Sequence, residues 1–162
     1  PVDATSTARS LQATFAGEQI AVIQAQPGQA LDLGAGAQLE VVATGEQGAV
    51  LLLEWKDFRA LLPMGIGPDL LKELEDGRRI GPVNLLLLAK NGCKDLNPPG
   101  WIDSLNPQLA LISVSSGDRS GHPDPETLDK LEGYAVLRTD RNGWIHIATD
   151  GEQMWVEVER RQ

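Results

Sequence analysis

Two continuously apolar runs in the middle of the chain most limit the folds open to it. They are "VNLLLLA" at 83–89 and "QLALISVS" at 108–115. A strand covered on both faces shows no polar alternation, so each run predicts a buried strand. Between them, "NPPGWIDSLNP" at 97–107 begins with prolines and predicts a short helix. That segment is long enough for a crossover, so the two strands are predicted to be adjacent and parallel.

Shorter patterns precede these runs. Residues 5–17 predict a helix that Thr5 or Ser6 could cap and Gly17 could end. Stretches that alternate or run apolar over four to eight residues predict strands. They lie at 18–25, 29–36, 37–44 and 48–63, and the polar "EWKD" at 54–57 predicts a hairpin turn inside the last of them.

Helices and strands are also predicted on both sides of the two runs. Helices are indicated at 67–77, with Pro68 in the first turn and Gly77 past the end, and at 124–133, with Asp124 as cap. Three further strands, "YAVLRT", "GWIHIATDG" and "QMWVEVE", close the chain, and the "DRNG" at 140–143 predicts a turn that joins the first two. This order predicts an α/β (α+β) class, a mixed sheet with packed helices.

Length and composition predict one domain over residues 1–162, because 41% of the residues are hydrophobic and can build one core. No apolar run approaches the ~18 residues of a membrane span, and the N-terminus lacks a signal-peptide pattern. The chain begins at Pro1 and not at Met, so we expect it to be a piece of a longer protein. The single cysteine, Cys93, excludes an internal disulfide and a Cys-rich zinc site.

The formal charge of −9 argues against nucleic acid as a direct ligand. Binding to a phosphate backbone needs clustered basic side chains that release counterions. Here 14 Lys and Arg stand against 23 Asp and Glu, and the adjacent basic pairs are Arg78-Arg79 and Arg160-Arg161. We therefore expect no strong DNA or RNA binding by this chain.

The chain has two histidines, and they differ in context. His146 lies in an alternating stretch and predicts a half-exposed strand position. His122 lies in the loop "SVSSGDRSGHP", between a predicted strand end and a helix start, where ligands of α/β sheets collect. His122 could hold a metal or move a proton. Alternatively, Asp118 and Ser120 satisfy loop amides and His122 only shapes the entry into the helix.

Known catalytic patterns are otherwise missing. The sequence holds no nucleophile elbow, no phosphate-binding glycine loop and no Cys–His pair. A metal-dependent hydrolase needs three or more converging His, Asp or Glu ligands, which one loop histidine cannot supply.

The loop and its flanks carry a family resemblance. The forty residues "ISVSSGDRSGHPDPETLDKLEGYAVLRTDRNGWIHIATDG", 112–151, match in order and spacing a family pattern of strand, polar loop, Gly-His-Pro, helix and strand. The segments 48–63 and 83–114 resemble two further parts of it. The family is the metallo-β-lactamase-like domain of ComEC-type competence proteins, membrane channels of bacterial DNA uptake. Residues 37–162 resemble its C-terminal half, 1–36 only weakly, and the resemblance implies part of an αββα sandwich.

The resemblance also implies a set of metal ligands that this sequence lacks. A Gly-Asp is expected where Gly65 or Ile66 stands, and a His-His-Gly-Ser where Lys90, Asn91 and Cys93 stand. The family's His-x-His-x-Asp-His cluster is expected before residue 1. Only the histidine of Gly-His-Pro remains, as His122. The resemblance therefore implies a remnant active-site loop at Asp118, Gly121 and His122, with no catalytic residue, no metal and no cofactor.

Three functions remain open on this basis. The first is a non-catalytic, soluble domain on the extracytoplasmic face of the bacterial membrane, with a structural or interaction role in DNA uptake. Its partners would be the remainder of the parent membrane protein and other uptake components. The second is a metal-dependent hydrolase or nuclease that acts on DNA during uptake. The third is a binding module that reuses the cleft for a small molecule or peptide.

Overall fold

The structure is a computed structural model that describes residues 6–74 and 79–161. Its strands are β1 Ala30–Gly34, β2 Ala37–Gly45, β3 Gly48–Trp55, β4 Phe58–Met64, β5 Leu85–Leu87, β6 Leu109–Ile112, β7 Ala135–Arg138, β8 Ile145–Thr149 and β9 Met154–Val158. Its helices are α1 Ser6–Gly17, α2 Pro68–Leu74, α3 Pro99–Leu105, α4 Pro125–Lys130 and α5 Thr139–Asn142, and two 3₁₀ turns lie at Ala89–Gly92 and Lys94–Leu96.

Seven of these strands form one mixed sheet in the order β1-β2-β3-β4-β5-β6-β7. The pairs from β1 to β4 are antiparallel, and those from β4 to β7 are parallel. Leu85 pairs with Leu109, so the predicted parallel neighbours β5 and β6 are confirmed. The hairpin of β3 and β4 and the α/β (α+β) class are confirmed as well.

Each face of the sheet carries apolar side chains. Helices α2 and α3 cover one face, where Trp101, Ile102 and Leu105 of α3 are among the most buried residues of the core. On the other face, a smaller cluster is built from Phe58, Ala60, Leu85 and Leu109. The separate two-stranded sheet of β8 and β9 packs on this cluster through Ile147 and Met154. The molecule therefore has a helical layer, a large sheet and a small second sheet.

Two predictions of secondary structure are wrong. Residues 18–25 form no strand, because no neighbouring strand in the described residues takes up their backbone hydrogen bonds. The "DRNG" at 140–143 does not join two paired strands: it belongs to α5, while β7 pairs with β6 and β8 pairs with β9. The chain does change direction at these residues, but it passes from the large sheet to the small one and does not form a hairpin.

Helix ends agree with the sequence only in part. Asp124 precedes α4, but its side chain does not bond the helix. Its Oδ2 instead accepts a hydrogen bond from the Lys94 backbone N–H at 2.8 Å. Thr5, Gly77 and Arg78 lie outside the described residues. Within the described ranges, no helix combines the length and apolar character that crossing a membrane requires.

Candidate functional site

Three loops meet at one edge of the sheet, because β4, β5 and β6 are parallel and end there. They are residues 65–67, 88–98 and 113–124. Each loop carries one set of positions named in the sequence analysis. In chain order these are Gly65 and Ile66, then Lys90, Asn91 and Cys93, then Asp118, Gly121 and His122. The topology therefore brings these positions to one edge, as an active site in this fold requires.

The first loop offers no ligand. Gly65 has φ 97° and lies against the backbone of Gln47 and Gly48, so closely that a Cβ would overlap the Gln47 carbonyl oxygen. Ile66 is 2% exposed and belongs to the main core. An aspartate was expected at Gly65 or Ile66. Gly65 is in contact with neighbouring backbone and Ile66 is a buried apolar residue, so neither can bind a metal through its side chain.

The second loop turns through three consecutive residues with positive φ. Lys90 has φ 42°, Asn91 φ 58° and Gly92 φ 85°, a region that residues with a side chain seldom enter. Lys90 and Asn91 are exposed. A Cβ on Gly92 would lie 2.7 Å from the Pro123 Cβ, so glycine permits the second loop to contact the third.

Asn97 holds the second loop, and sequence reasoning did not identify it. Its side chain is buried, its Oδ1 accepts from the Ala89 N–H at 2.9 Å, and its Nδ2 donates to the carbonyl oxygens of Ala89 at 3.0 Å and Cys93 at 2.7 Å. A buried amide with both of its ends bonded fixes the backbone between them. The only sequence signal was an amide just before two prolines, which looked like a helix start.

The third loop holds His122 through its backbone. The Asp118 Oδ2 accepts a hydrogen bond from the His122 backbone N–H at 2.9 Å, so Asp118 satisfies a loop amide, and the imidazole takes no part in this contact. Gly121 has φ 77°, and the His122–Pro123 peptide bond is cis. Among the described residues, the buried His122 Nδ1 has no hydrogen-bond partner, and the Asp124 Oδ2 lies 3.8 Å away.

These side chains do not fit a catalytic metal. A catalytic zinc takes three protein ligands. His122 Nδ1 and the Asp124 carboxylate supply two donors at most, and that carboxylate already accepts from Lys94. No group of three or more His, Cys, Asp or Glu side chains that could hold a metal occurs in 6–74 and 79–161. Lys90 would add a positive charge beside the ion, which costs free energy.

Charged and polar contacts tie the neighbouring elements together. Lys94 Nζ donates to Glu126 Oε1 at 2.7 Å, and this hydrogen bond is the main cause of the raised pKa of Lys94. The Thr139 hydroxyl accepts from the Val114 N–H at 2.8 Å and donates to the Val114 carbonyl at 2.7 Å. These contacts join the loop after β5 to α4 and the loop after β6 to α5.

His146 lies away from this edge. It is exposed on β8, with its Nδ1 3.7 Å from Glu157 Oε2 of the paired strand β9. The predicted strand position, open to solvent on one face, is confirmed. Within the described residues, the ion pair of His146 is with Glu157 on β9, and His146 has no hydrogen bond or ion pair with the three loops.

Comparisons with known proteins agree with the fold. ComE operon protein 3 of Bacillus subtilis (strain 168) is 34% identical over 65 residues, which are 39% of this chain and 8% of that protein. The match thus spans less than a tenth of the relative's length. No protein-family profile matches the chain.

Two solved structures are similar. A protein of Parabacteroides distasonis described as a metal-dependent hydrolase aligns at TM-score 0.50 and 10% identity, over 85% of this chain and 63% of that one. A Zn-dependent hydrolase of the metallo-β-lactamase superfamily from Thermotoga maritima aligns at TM-score 0.43 and 18% identity, over 69% and 58%. The match to the Bacillus protein confirms the resemblance to a ComEC-type competence protein over 65 residues, and the alignment at TM-score 0.50 confirms the mixed α/β fold.

Proposed function

We propose that residues 1–162 are one non-catalytic metallo-β-lactamase-like domain of a ComEC-related membrane protein, with a structural or interaction role in DNA uptake. It would lie on the extracytoplasmic face of the bacterial membrane. Its partners would be the remainder of the parent protein and other uptake components. The observation that carries the proposal is the position where the resemblance implies an aspartate: of the two candidates, Gly65 lies against the Gln47 backbone and Ile66 is 2% exposed in the core.

The second loop supports the same conclusion. Lys90 and Asn91 stand where two histidines are implied, and their left-handed backbone leaves them exposed at the edge. Lysine brings a cation to a place where a metal would need a neutral or anionic donor. A site that lacks ligands on two of its three loops cannot polarise a phosphodiester through a metal.

A DNA-cleavage assay tests this proposal against a metal-dependent nuclease. The chain and a His122→Ala variant are incubated with labelled single- and double-stranded DNA in Mn²⁺, Zn²⁺ or Mg²⁺. We expect both proteins to leave the DNA intact. Cleavage that EDTA stops and that His122→Ala abolishes would establish the hydrolase in place of the non-catalytic domain.

DNA binding gives a second measurement. Because the chain carries −9, we expect no submicromolar binding in a gel shift at about physiological salt. Tight binding that weakens steeply as salt rises would contradict this expectation, since it would require a basic face.

A further inference from the structure

The outer edge of β1 is free in the described part of the chain. β1 is the first strand of the seven-stranded sheet, it pairs only with β2, and all five of its residues are exposed. An edge strand presents a row of backbone N–H and C=O groups that another extended segment can pair with. Nothing in 6–74 or 79–161 occupies that edge as a strand.

An apolar groove of about 330 Å³ lies beside this edge. The residues that line the groove are Ile23, Ala25, Gln29, Ala30, Leu31, Leu39 and Val41. Leu31 pairs with Leu39 across the strands, so both side chains lie on one face, and Leu31 is 61% exposed. Exposed apolar side chains gathered in one groove indicate an interaction surface.

The opposite face of the same strands carries two carboxylates, of which that of Glu40 lines a cavity together with Arg79. Side chains alternate between faces along a strand, so Asp32 and Glu40 lie on the face opposite Leu31 and Leu39. The 46 residues from Ser10 to Trp55 contain Glu18, Asp32, Glu40, Glu46 and Glu54 and no lysine or arginine. Of these carboxylates, that of Glu54 forms an ion pair with Arg59.

This charge pattern decides which occupant fits. A second copy paired edge to edge along β1 would bring the Asp32 carboxylates of both copies to one face of neighbouring strands, and like charges that close across a sheet destabilise it. A segment with basic side chains on that face would meet opposite charges. Its other side chains would enter the groove, so they must be apolar.

We propose that the β1 edge binds an extended segment of another polypeptide that alternates apolar and basic residues. The segment adds a strand to the sheet, with backbone hydrogen bonds to β1, apolar side chains in the groove and Lys or Arg on the face of Asp32, where Glu40 lies one strand further in. This gives a surface and a partner class to the interaction role in the proposed function, on which it rests. Its test does not involve metal or DNA, so the two can fail separately.

Fluorescence polarisation with designed peptides tests the proposal. The probe is a labelled eight-residue peptide of alternating Val and Lys. The controls are the Val-Glu peptide and a Val-Lys peptide N-methylated on every backbone amide, which has no N–H group left to donate to the edge. We expect saturable binding of the probe and at least about tenfold weaker binding of each control.

Two exposed apolar residues give a matched pair of variants. Leu31→Lys should weaken binding of the probe at least about tenfold, because it blocks the groove and adds a like charge. Met64→Lys, at a residue 57% exposed against 61% for Leu31, should leave binding unchanged. Circular dichroism melts of both variants check that they fold.

Several results would overturn the proposal. One is the absence of probe binding at about millimolar concentration. Another is equal binding of all three peptides, or equal loss in both variants. Dimers that form in light scattering and disappear in Leu31→Lys would assign the edge to a second copy instead.

Discussion

His122 is placed by its backbone and not by its ring. The backbone N–H is bonded to Asp118, whereas the buried Nδ1 lacks a partner among the described residues. Its side chain is 16% exposed. A polar atom that is buried without a hydrogen bond does not stabilise the fold, so little is lost when the ring is replaced.

We therefore expect His122→Gln to change the free energy of unfolding by less than about 1 kcal/mol. Gly121→Val should cost more, roughly 2 kcal/mol, because Gly121 has φ 77° and a β-branched residue is strained there. No atom lies within 4 Å of a Cβ at Gly121, so this cost is conformational. Urea unfolding of both variants gives the comparison. A larger loss in His122→Gln would reveal a buried partner or metal.

For individual residues, the sequence predicted where they lie in the chain's elements and loops, but not which atoms they contact. The resemblance left Gly65 and Ile66 as alternatives at one position, and only the fold shows the first against Gln47 and the second in the core. Asn97 was missed because nothing in its local pattern indicates the three hydrogen bonds that it makes over four and eight residues.

The loop after β5 depends on one buried amide. Asn97→Ala leaves the Ala89 N–H and two carbonyl oxygens without their partner, so we expect a loss of about 2 to 4 kcal/mol in the free energy of unfolding. The exposed Gln38 is the control, and Gln38→Ala should change it by less than about 0.5 kcal/mol. Chemical denaturation measures both. Equal, small effects would mean that water replaces the amide.

Arg138 at the end of β7 and Asp140 in α5 form an ion pair whose contribution to stability depends on pH. Hydrogen bonds from Arg138, at 3.0 and 2.6 Å, are the first cause of the lowered pKa of Asp140. Because the folded pKa lies below the ordinary 3.8, the stabilisation is present above about pH 4 and is lost as pH falls through the lowered value.

Asp140→Asn should therefore cost roughly 1 to 2 kcal/mol at neutral pH. The difference from the parent should shrink as pH falls below about 4, where the parent's carboxyl takes up its proton. Asp129→Asn, at an exposed position of α4, is the control and should show little effect at neutral pH. Unfolding measured from pH 7 to pH 2 tests this, and a difference that is constant over that range would contradict it.

Buried elements were predictable because their apolar runs carry the information locally. β5 and β6 came out parallel and adjacent, and the β3–β4 hairpin formed where "EWKD" indicated. Residues 18–25 have a strand-like pattern as well, but a strand also needs a neighbour, and the sequence alone does not say whether one is present. The partners of β7 and β8 depend in the same way on the whole fold.

In the whole molecule, the two faces of the large sheet are covered unequally. The helices bury Trp101, Ile102 and the three leucines of α2 on one face. The small sheet covers the other face around Phe58 and Leu85, while Leu31 at the far end stays exposed. Both apolar surfaces follow from the strand patterns, but which part is left open follows from the topology.

The central proposal is that the loops after β4, β5 and β6 lack the metal ligands that the family resemblance implies there. Elemental analysis of the purified chain after incubation with Zn²⁺ or Mn²⁺ and removal of free metal tests this most directly. We predict far less than one bound metal per chain, with no difference between the parent and His122→Ala, because Ile66, Lys90 and Asn91 offer no adequate ligands. About one metal per chain in the parent, lost in His122→Ala, would contradict the account.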